Sequence, residues 1–176
     1  MTSYLYVLAL GPVQDFIAAA RTTRDLWFGS HLLSEISKAA AKEIAENGGN
    51  LIFPALKARD PDLAPDKSFN VANIILAELL EGKNPEDINK AAKDAAQERW
   101  MHFAKIAKNA AETAVDDVIW NEQIEDVIEF YSAWVPFTDM KQYQSTRTRL
   151  MRLLAARKST RNFEPAQSHW GKEKST

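Results

Sequence analysis

The chain has 176 residues, of which 45% are hydrophobic and 26% are charged, and its formal net charge is −2. This composition excludes disorder throughout and suits one globular domain with an appendage, while the absence of cysteine excludes disulfides, thiolate metal sites and cysteine nucleophiles. The start of the sequence lacks a signal-peptide pattern and no apolar run is long enough to cross a bilayer, so we expect a cytoplasmic protein.

The first predicted elements are a strand and a kinked helix. Residues 4–10 form an apolar run that predicts a buried strand, which Gly11-Pro12 ends. A helical pattern begins at once and continues over residues 13–46, with an interruption before residues 22–25, whose spacing is typical of a capping box. Unpaired backbone N–H groups at the turn suit a phosphate or carboxylate, although many such corners bind nothing.

The remaining elements complete an alternating pattern. Residues 51–53 predict a short strand, residues 69–80 a longer one, and the proline-rich connection between them a loop. Asn84-Pro85 opens a long helix that is expected to reach about Val118, and residues 127–135 predict the last strand, ended by Pro136. The order β-α-β-β-α-β predicts an α+β, ferredoxin-like fold, an antiparallel sheet with helices on one face.

Two stretches of sequence carry a family resemblance. The run GPVQDFI at residues 11–17, followed by AR and then by DLWFGSHLLS at residues 25–34, resembles the first palm domain of the large subunit of type III-B (Cmr-type) CRISPR–Cas effector complexes. Residues 118–124, leading into residues 130–136, also resemble that subunit. The resemblance covers most of residues 4–137 and implies the same fold, a ferredoxin-like palm as in class III nucleotidyl cyclases.

The sequence lacks the carboxylates that a palm enzyme needs. Palm-type cyclases and polymerases hold two Mg²⁺ ions with carboxylates at the end of the first strand and in the β2–β3 hairpin. Here the strand ends at Gly11, and residues 55–68 contain no Gly-Gly-Asp-Asp turn. Asp60 and Asp62 flank a proline in a loop, and Asp15 favours a helix N-terminus rather than a metal. We therefore expect a degenerate palm with no catalytic residue and no metal site of its own.

The resemblance implies a role that is shared with a second domain. In the family two palm domains face each other, and the second carries the Gly-Gly-Asp-Asp turn that makes cyclic oligoadenylates from ATP in antiviral defence. The implied partners are that second palm, other Cmr-type subunits and, indirectly, guide and target RNA, with ATP as a shared cofactor and Mg²⁺ held only by the partner palm. The family's nuclease, zinc-binding and C-terminal helical domains are expected to lie outside this sequence, so the chain is expected to be a fragment or a minimal relative.

Six residues are candidates for nucleotide contact under this resemblance. Ser30 and Ser34, one turn apart, place two hydroxyls on one helix face, or they bond back to carbonyls of the preceding turn. Trp27 and Phe28 cannot both face one core, so one of them is expected to line a pocket or an interface. The side chain of Gln14 either donates to phosphate or caps the turn. The predicted nucleotide-binding residues are Gly11, Gln14, Trp27, Gly29, Ser30 and Ser34.

The charges of the chain are divided unevenly. Residues 1–140 carry 13 basic and 22 acidic side chains, whereas residues 141–176 carry 9 basic and 2 acidic ones. We therefore divide the chain into a degenerate palm, residues 1–140, and a basic helical tail, residues 141–176, that leads into a further domain. Its packing partners are expected to lie elsewhere, so the tail is expected to be mobile or to pack on another copy. Nucleic acid or an acidic partner would meet Arg147, Arg149, Arg152, Arg157 and Arg161, unless the tail is only a solvated helix.

Two other functions remain open at this point. A stand-alone nucleotidyl cyclase-like palm would show Mg²⁺-dependent turnover, which the missing carboxylates argue against. A small nucleic-acid-binding adaptor would act through the basic tail, with steeply salt-dependent RNA binding that disappears when residues 141–176 are removed. We expect this chain alone to be inactive.

Overall fold

The computed structural model describes residues 2–111, 116–125 and 127–160. Within these residues the chain forms four strands and five α-helices. The strands are β1 (Ser3–Gly11), β2 (Gly49–Phe53), β3 (Ile74–Leu79) and β4 (Glu129–Phe137). The helices are α1 (Val13–Ala19), α2 (Thr23–Glu46), α3 (Pro85–Ala111), α4 (Asp117–Glu125) and α5 (Tyr143–Ser159). None of these helices is long and apolar enough to cross a membrane.

The four strands form one antiparallel sheet in the order β2-β3-β1-β4. Strand β1 is central and pairs along its length with both neighbours, so that Tyr6 lies between Ala77 of β3 and Trp134 of β4. This arrangement confirms the α+β class and is compatible with the predicted ferredoxin-like fold.

The larger core lies between one face of the sheet and the helices α2 and α3. Tyr6, Leu8 and Leu10 project from β1 into this layer, and the buried side of α2 meets them. Small residues on α3 allow the two helices to approach the sheet closely, and Ala92 and Ala96 are fully buried there. The buried side of α3 also includes Ala104, whereas Ala107 and Ala110 near its end are exposed.

The second face of the sheet is also covered, which differs from the predicted arrangement. Leu5 and Val7 of β1 point to this face with no exposed surface, and Leu150 and Leu154 of α5 pack against them. The expectation of helices on one face therefore holds for α2 and α3 but not for α5. Because β1 is apolar on both sides, an open second face would leave that surface in water, and α5 removes it. The expectation that this part of the tail lacks packing partners is likewise wrong.

Several predicted boundaries also shift. The helix predicted over residues 13–46 is two helices, since the backbone is extended at both Ala20 and Thr22. Strand β3 begins at Ile74 rather than at residue 69, and α3 is described over Pro85–Ala111 and is not continuous to Val118, which lies in α4. Pro136 lies inside β4 and not at its end, which is tolerated because β4 is an edge strand.

Candidate functional site

The start of α2 is fixed by the predicted capping box. The Thr22 hydroxyl accepts the backbone N–H of Asp25 at 3.2 Å, and the Asp25 carboxylate accepts the N–H groups of Thr22 and Arg21 at 2.9 and 3.1 Å. Hydrogen bonds from Thr22 and from the Arg21 backbone hold the pKa of Asp25 below its usual range. The helix therefore restarts at a defined residue, which sets the direction of the aromatic side chains that follow.

A groove runs along one side of this part of α2. Its volume is about 720 Å³, and its opposite wall is the loop segment of residues 66–72, before β3. The Trp27 indole, 67% exposed, stacks on the His31 imidazole with ring centroids 5.4 Å apart. Ser30 is exposed, and its hydroxyl donates to the Leu26 carbonyl at 3.1 Å. The lining residues are Trp27, Ser30, His31, Ser34, Asp66, Lys67, Ser68, Asn70, Val71 and Ala72.

Side chains of α2 hold the loop wall of the groove by hydrogen bonds to the backbone of the loop. The buried Ser34 hydroxyl accepts the N–H of Val71 at 2.9 Å. The carboxylate of the next residue, Glu35, accepts the N–H of Asp66 at 3.0 Å, and one turn further the Lys38 ammonium donates to the Lys67 carbonyl at 2.9 Å. Three polar residues of α2 therefore hold both ends of the loop wall in place.

Buried charges support this connection. The Glu35 carboxylate lies between the Lys38 ammonium and the Arg99 guanidinium of α3, each at 2.6 Å, and Arg99 also reaches the Asp66 carboxylate at 2.7 Å. Burial alone would raise the pKa of Glu35, but hydrogen bonds from the Asp66 N–H, Lys38 and Arg99 outweigh it and lower that pKa. Glu35 is therefore ionised at neutral pH and binds two helices and the loop together.

A second cavity lies on the other side of Trp27, between α1 and α2. Its volume is about 600 Å³, and Phe16, Phe28 and Gly29 are among the residues that line it. The break between the two helices lies at residues 20–22, and α2 continues through Gly29. A Cβ at Gly29 would lie 3.6 Å from the Cβ of Phe16, which is ordinary contact, so packing within this chain does not require a glycine there.

The structure brings together only part of the predicted nucleotide set. Trp27, Ser30 and Ser34 line the groove, whereas Gly29 faces the second cavity. Gly11 ends β1, where a Cβ would lie 3.2 Å from the Glu129 carboxylate, and Gln14 is exposed on α1. Nucleotide contact by these six residues stays a prediction.

Sequence reasoning missed the opposite wall of the groove. Ser68 and Asn70 stand 34 or more positions after Ser34 in a stretch with no helical or strand periodicity. Residues up to 68 are predicted from the sequence as a loop and residues 69–80 as a strand. No local pattern marks these residues as neighbours of α2, because the loop is joined to the helix by bonds between residues about 30 or more positions apart, such as that between Val71 and Ser34.

The acidic residues that were considered for metal binding lie elsewhere. Asp60 accepts the N–H of Asp62 at 3.0 Å and so caps a single 3₁₀ turn, and Asp15 is exposed in the first turn of α1. Among the described residues no group of three or more histidine, aspartate or glutamate side chains could hold a metal ion.

The basic candidates lie on the far side of the sheet. Arg147, Arg149, Arg152 and Arg157 are all exposed on α5, and Arg161 lies outside the described residues. A shallow depression of about 570 Å³ on the outer surface of α5 includes Arg149 and Arg152.

The chain matches the model of a known protein family over more than half of its length. A family model described as CRISPR-associated protein Cmr2, N-terminal, matches residues 5–105. These residues contain β1, α2, the loop wall of the groove and most of α3. No curated protein matches the chain.

Proposed function

Because the chain belongs to the CRISPR-associated Cmr2 N-terminal family, we propose that it is the first palm domain of the large subunit of a type III-B effector and supplies half of an ATP pocket. The family makes it a Cmr2-type subunit that acts with other subunits of a Cmr effector complex. The second palm domain of the same subunit would complete the pocket and hold the Mg²⁺ ions.

The observation that carries this proposal is the groove between α2 and residues 66–72. Its volume, about 720 Å³, lies within the usual range for small-molecule sites, and one wall is an exposed indole beside a hydroxyl. The Ser30 hydroxyl donates to a helix carbonyl, so its oxygen still has lone pairs for an outside donor. Asn70, exposed on the other wall, carries both an amide donor and an amide acceptor. These groups fit a nucleobase and a ribose.

The division of labour between these residues follows from their chemistry. The Trp27 ring offers a flat apolar surface on which a base can stack, and Ser30 can accept a hydrogen bond from an exocyclic amino group. Ser34 and Glu35 hold the opposite wall at a fixed distance through the backbone of Val71 and Asp66. ATP would supply the adenylyl units that are joined into cyclic oligoadenylate.

This half of the pocket would orient the nucleotide rather than activate it. Asp60 is used in a local cap, and β1 ends in glycine rather than in a carboxylate. Two-metal phosphoryl chemistry requires carboxylates that bind the metal ions, so the partner palm would have to supply these carboxylates. We therefore expect this chain alone, given ATP and Mg²⁺, to make no cyclic oligoadenylate.

The proposal is tested by substitution of Ser30 in the assembled two-palm subunit. Ser30→Ala should weaken ATP binding by about 1 kcal/mol, roughly fivefold, which corresponds to one neutral hydrogen bond, and Ser30→Trp should block the pocket. Ser159→Ala is the matched control, because Ser159 is also an exposed helical serine whose hydroxyl bonds a carbonyl of its own helix. ATP affinity is measured by calorimetry, and product by chromatography.

Two results would refute it. If ATP affinity and product yield survive both Ser30 substitutions, the groove is not the nucleotide site. If the isolated chain forms product that disappears on Asp60→Ala or Asp62→Ala, the palm is not degenerate and its loop holds metal.

A further inference from the structure

The outer surface of α5 has a composition found in no other helix among the described residues. It contains no aspartate or glutamate, and its arginines form no ion pair within the part of the chain that the structure describes. Residues 1–140, by contrast, carry nine more acidic than basic side chains. The helix therefore presents an isolated positive surface on a negative body. Its cationic residues are Arg147, Arg149, Arg152, Arg157 and Lys158.

Three of the basic residues at this surface line one shallow depression. Lys141, in the turn before α5, lies there with Arg149 and Arg152, which are neighbours because they are three positions apart on the helix. Gln144, Ser145 and Thr148 complete the lining. The two hydroxyls donate to carbonyls of the helix, so the cationic groups and the amide are the donors that face outward. We name this set, residues 141–152 on the outward side, the α5 cationic face.

We propose that the α5 cationic face binds the phosphate backbone of single-stranded nucleic acid. Arginine, lysine, glutamine, serine and threonine are the side chains that most often contact phosphate oxygens. The face has no exposed aromatic ring on which a base could stack, so contact is confined to the backbone and is independent of sequence.

Other polyanions fit this face less well. A membrane-surface helix directs its apolar side into the bilayer, but the apolar side of α5, with Leu150 and Leu154, is already buried against the sheet. An acidic protein partner would need an apolar centre to its interface, and the lining of the face is entirely polar. Phosphate contact requires neither.

A single strand is favoured over a duplex by the small size of the cationic surface. The helix is only about 25 Å long and is narrow, so it can follow one strand without crossing a groove.

The test measures binding of the full chain to a fluorescent 20-nucleotide uridine strand at several salt concentrations. Three phosphate contacts predict a slope of about −2 for log K against log salt, a loss of roughly 20-fold in affinity between 50 and 200 mM. Arg149→Gln with Arg152→Gln should bring the slope close to −1. A 20-nucleotide thymidine strand should bind as tightly, because no 2′-hydroxyl is contacted.

Charge-matched and conservative variants give the controls. Lys90→Gln with Lys105→Gln removes the same charge from exposed positions of α3 and should leave the slope unchanged. Arg149→Lys with Arg152→Lys should keep most of the affinity. The proposal is overturned if both glutamine pairs lower affinity equally or if a 20-bp duplex binds more tightly than the strand. Equal binding of polyglutamate or of anionic vesicles would also overturn it, as would a lack of binding at 50 mM salt.

Discussion

The two faces of the sheet are closed by different physical means. On one face, two long helices form an apolar core that also encloses the carboxylate of Glu35 and the ammonium of Lys38, both almost fully buried. On the other face, a single helix covers β1 and β4 through Leu150 and Leu154, with aromatic contacts such as Phe137 against Tyr143. One face is thus held by packing and buried charge, and the other by packing with a cation–π contact from Lys158 to Tyr131 at its edge.

This difference determines what each face can do. Buried ion pairs have strict geometric requirements, so the network around Glu35 fixes the loop that forms the groove wall and makes a precise site possible. Apolar packing has no such directional requirement, and α5 uses its buried side only to attach. Its cations remain exposed, where they suit contact with a flexible polyanion rather than a shaped pocket.

The largest effect is expected from removal of one partner in the buried network. Lys38→Met leaves the Lys67 carbonyl and one side of Glu35 without their donor and should lower the free energy of unfolding by about 3–5 kcal/mol. Lys42→Met, an exposed lysine one turn along α2, should cost less than about 0.5 kcal/mol. Urea denaturation of both variants is the measurement. Equal, small losses would mean that buried charge does not distinguish this face.

The second face should respond to loss of an apolar contact. Leu150→Ala is expected to lower the free energy of unfolding by about 3 kcal/mol, because Leu150 has no exposed surface. Leu153→Ala, at a position 42% exposed on the same helix, should have a much smaller effect. Thermal unfolding of the two variants compares them directly. If they are equally stable, α5 does not dock on the sheet.

Low pH should reduce the stability of the face that contains Glu35 more than that of the face covered by α5. The pKa of Glu35 is lowered in the folded chain, so its stabilising contribution is fully present above its ordinary value of 4.5. The contribution is lost as the pH falls through the lower, folded pKa. Glu35→Gln should therefore flatten the acid limb of the stability curve, while Glu46→Gln, an exposed glutamate of α2, should leave its slope as it is. A wild-type slope in the Glu35 variant would contradict this.

The smallest effect is expected at Gly29 and has the opposite sign. Since a Cβ there meets Phe16 at ordinary contact distance, Gly29→Ala should stabilise α2 by about 0.5–1 kcal/mol. ATP affinity of the assembled subunit is measured alongside stability. A stabilised variant with weaker ATP binding would assign the glycine to the approach of a ligand or partner, and a destabilised one would show that the α1–α2 contact is tighter than the structure indicates.

Local signals in the sequence predicted the parts of the fold that depend on near neighbours. The Thr22–Asp25 capping box forms as predicted, and Asn84 caps α3 through bonds to Glu86 and Ile88. Strand alternation in β4 likewise places Phe130 and Trp134 on one core and Tyr131 on the other. These features depend on residues within a few positions or on strand alternation, which a single sequence displays.

The sequence also determined that acidic residues predominate in residues 1–140 and basic residues in the tail, and that the metal-binding carboxylates of a palm enzyme are missing. Both features depend only on which residues are present and not on how the chain folds. Tertiary structure decided the rest. That Glu35 and Lys38 are buried, rather than solvated on a helix, depends on Arg99 and the loop at Asp66, which are distant in sequence. That α5 covers the second face depends on unmet apolar surface of β1. In both cases apolar surface or a polar group is buried by contact with residues that are distant in sequence, and such contacts leave no local periodicity to detect.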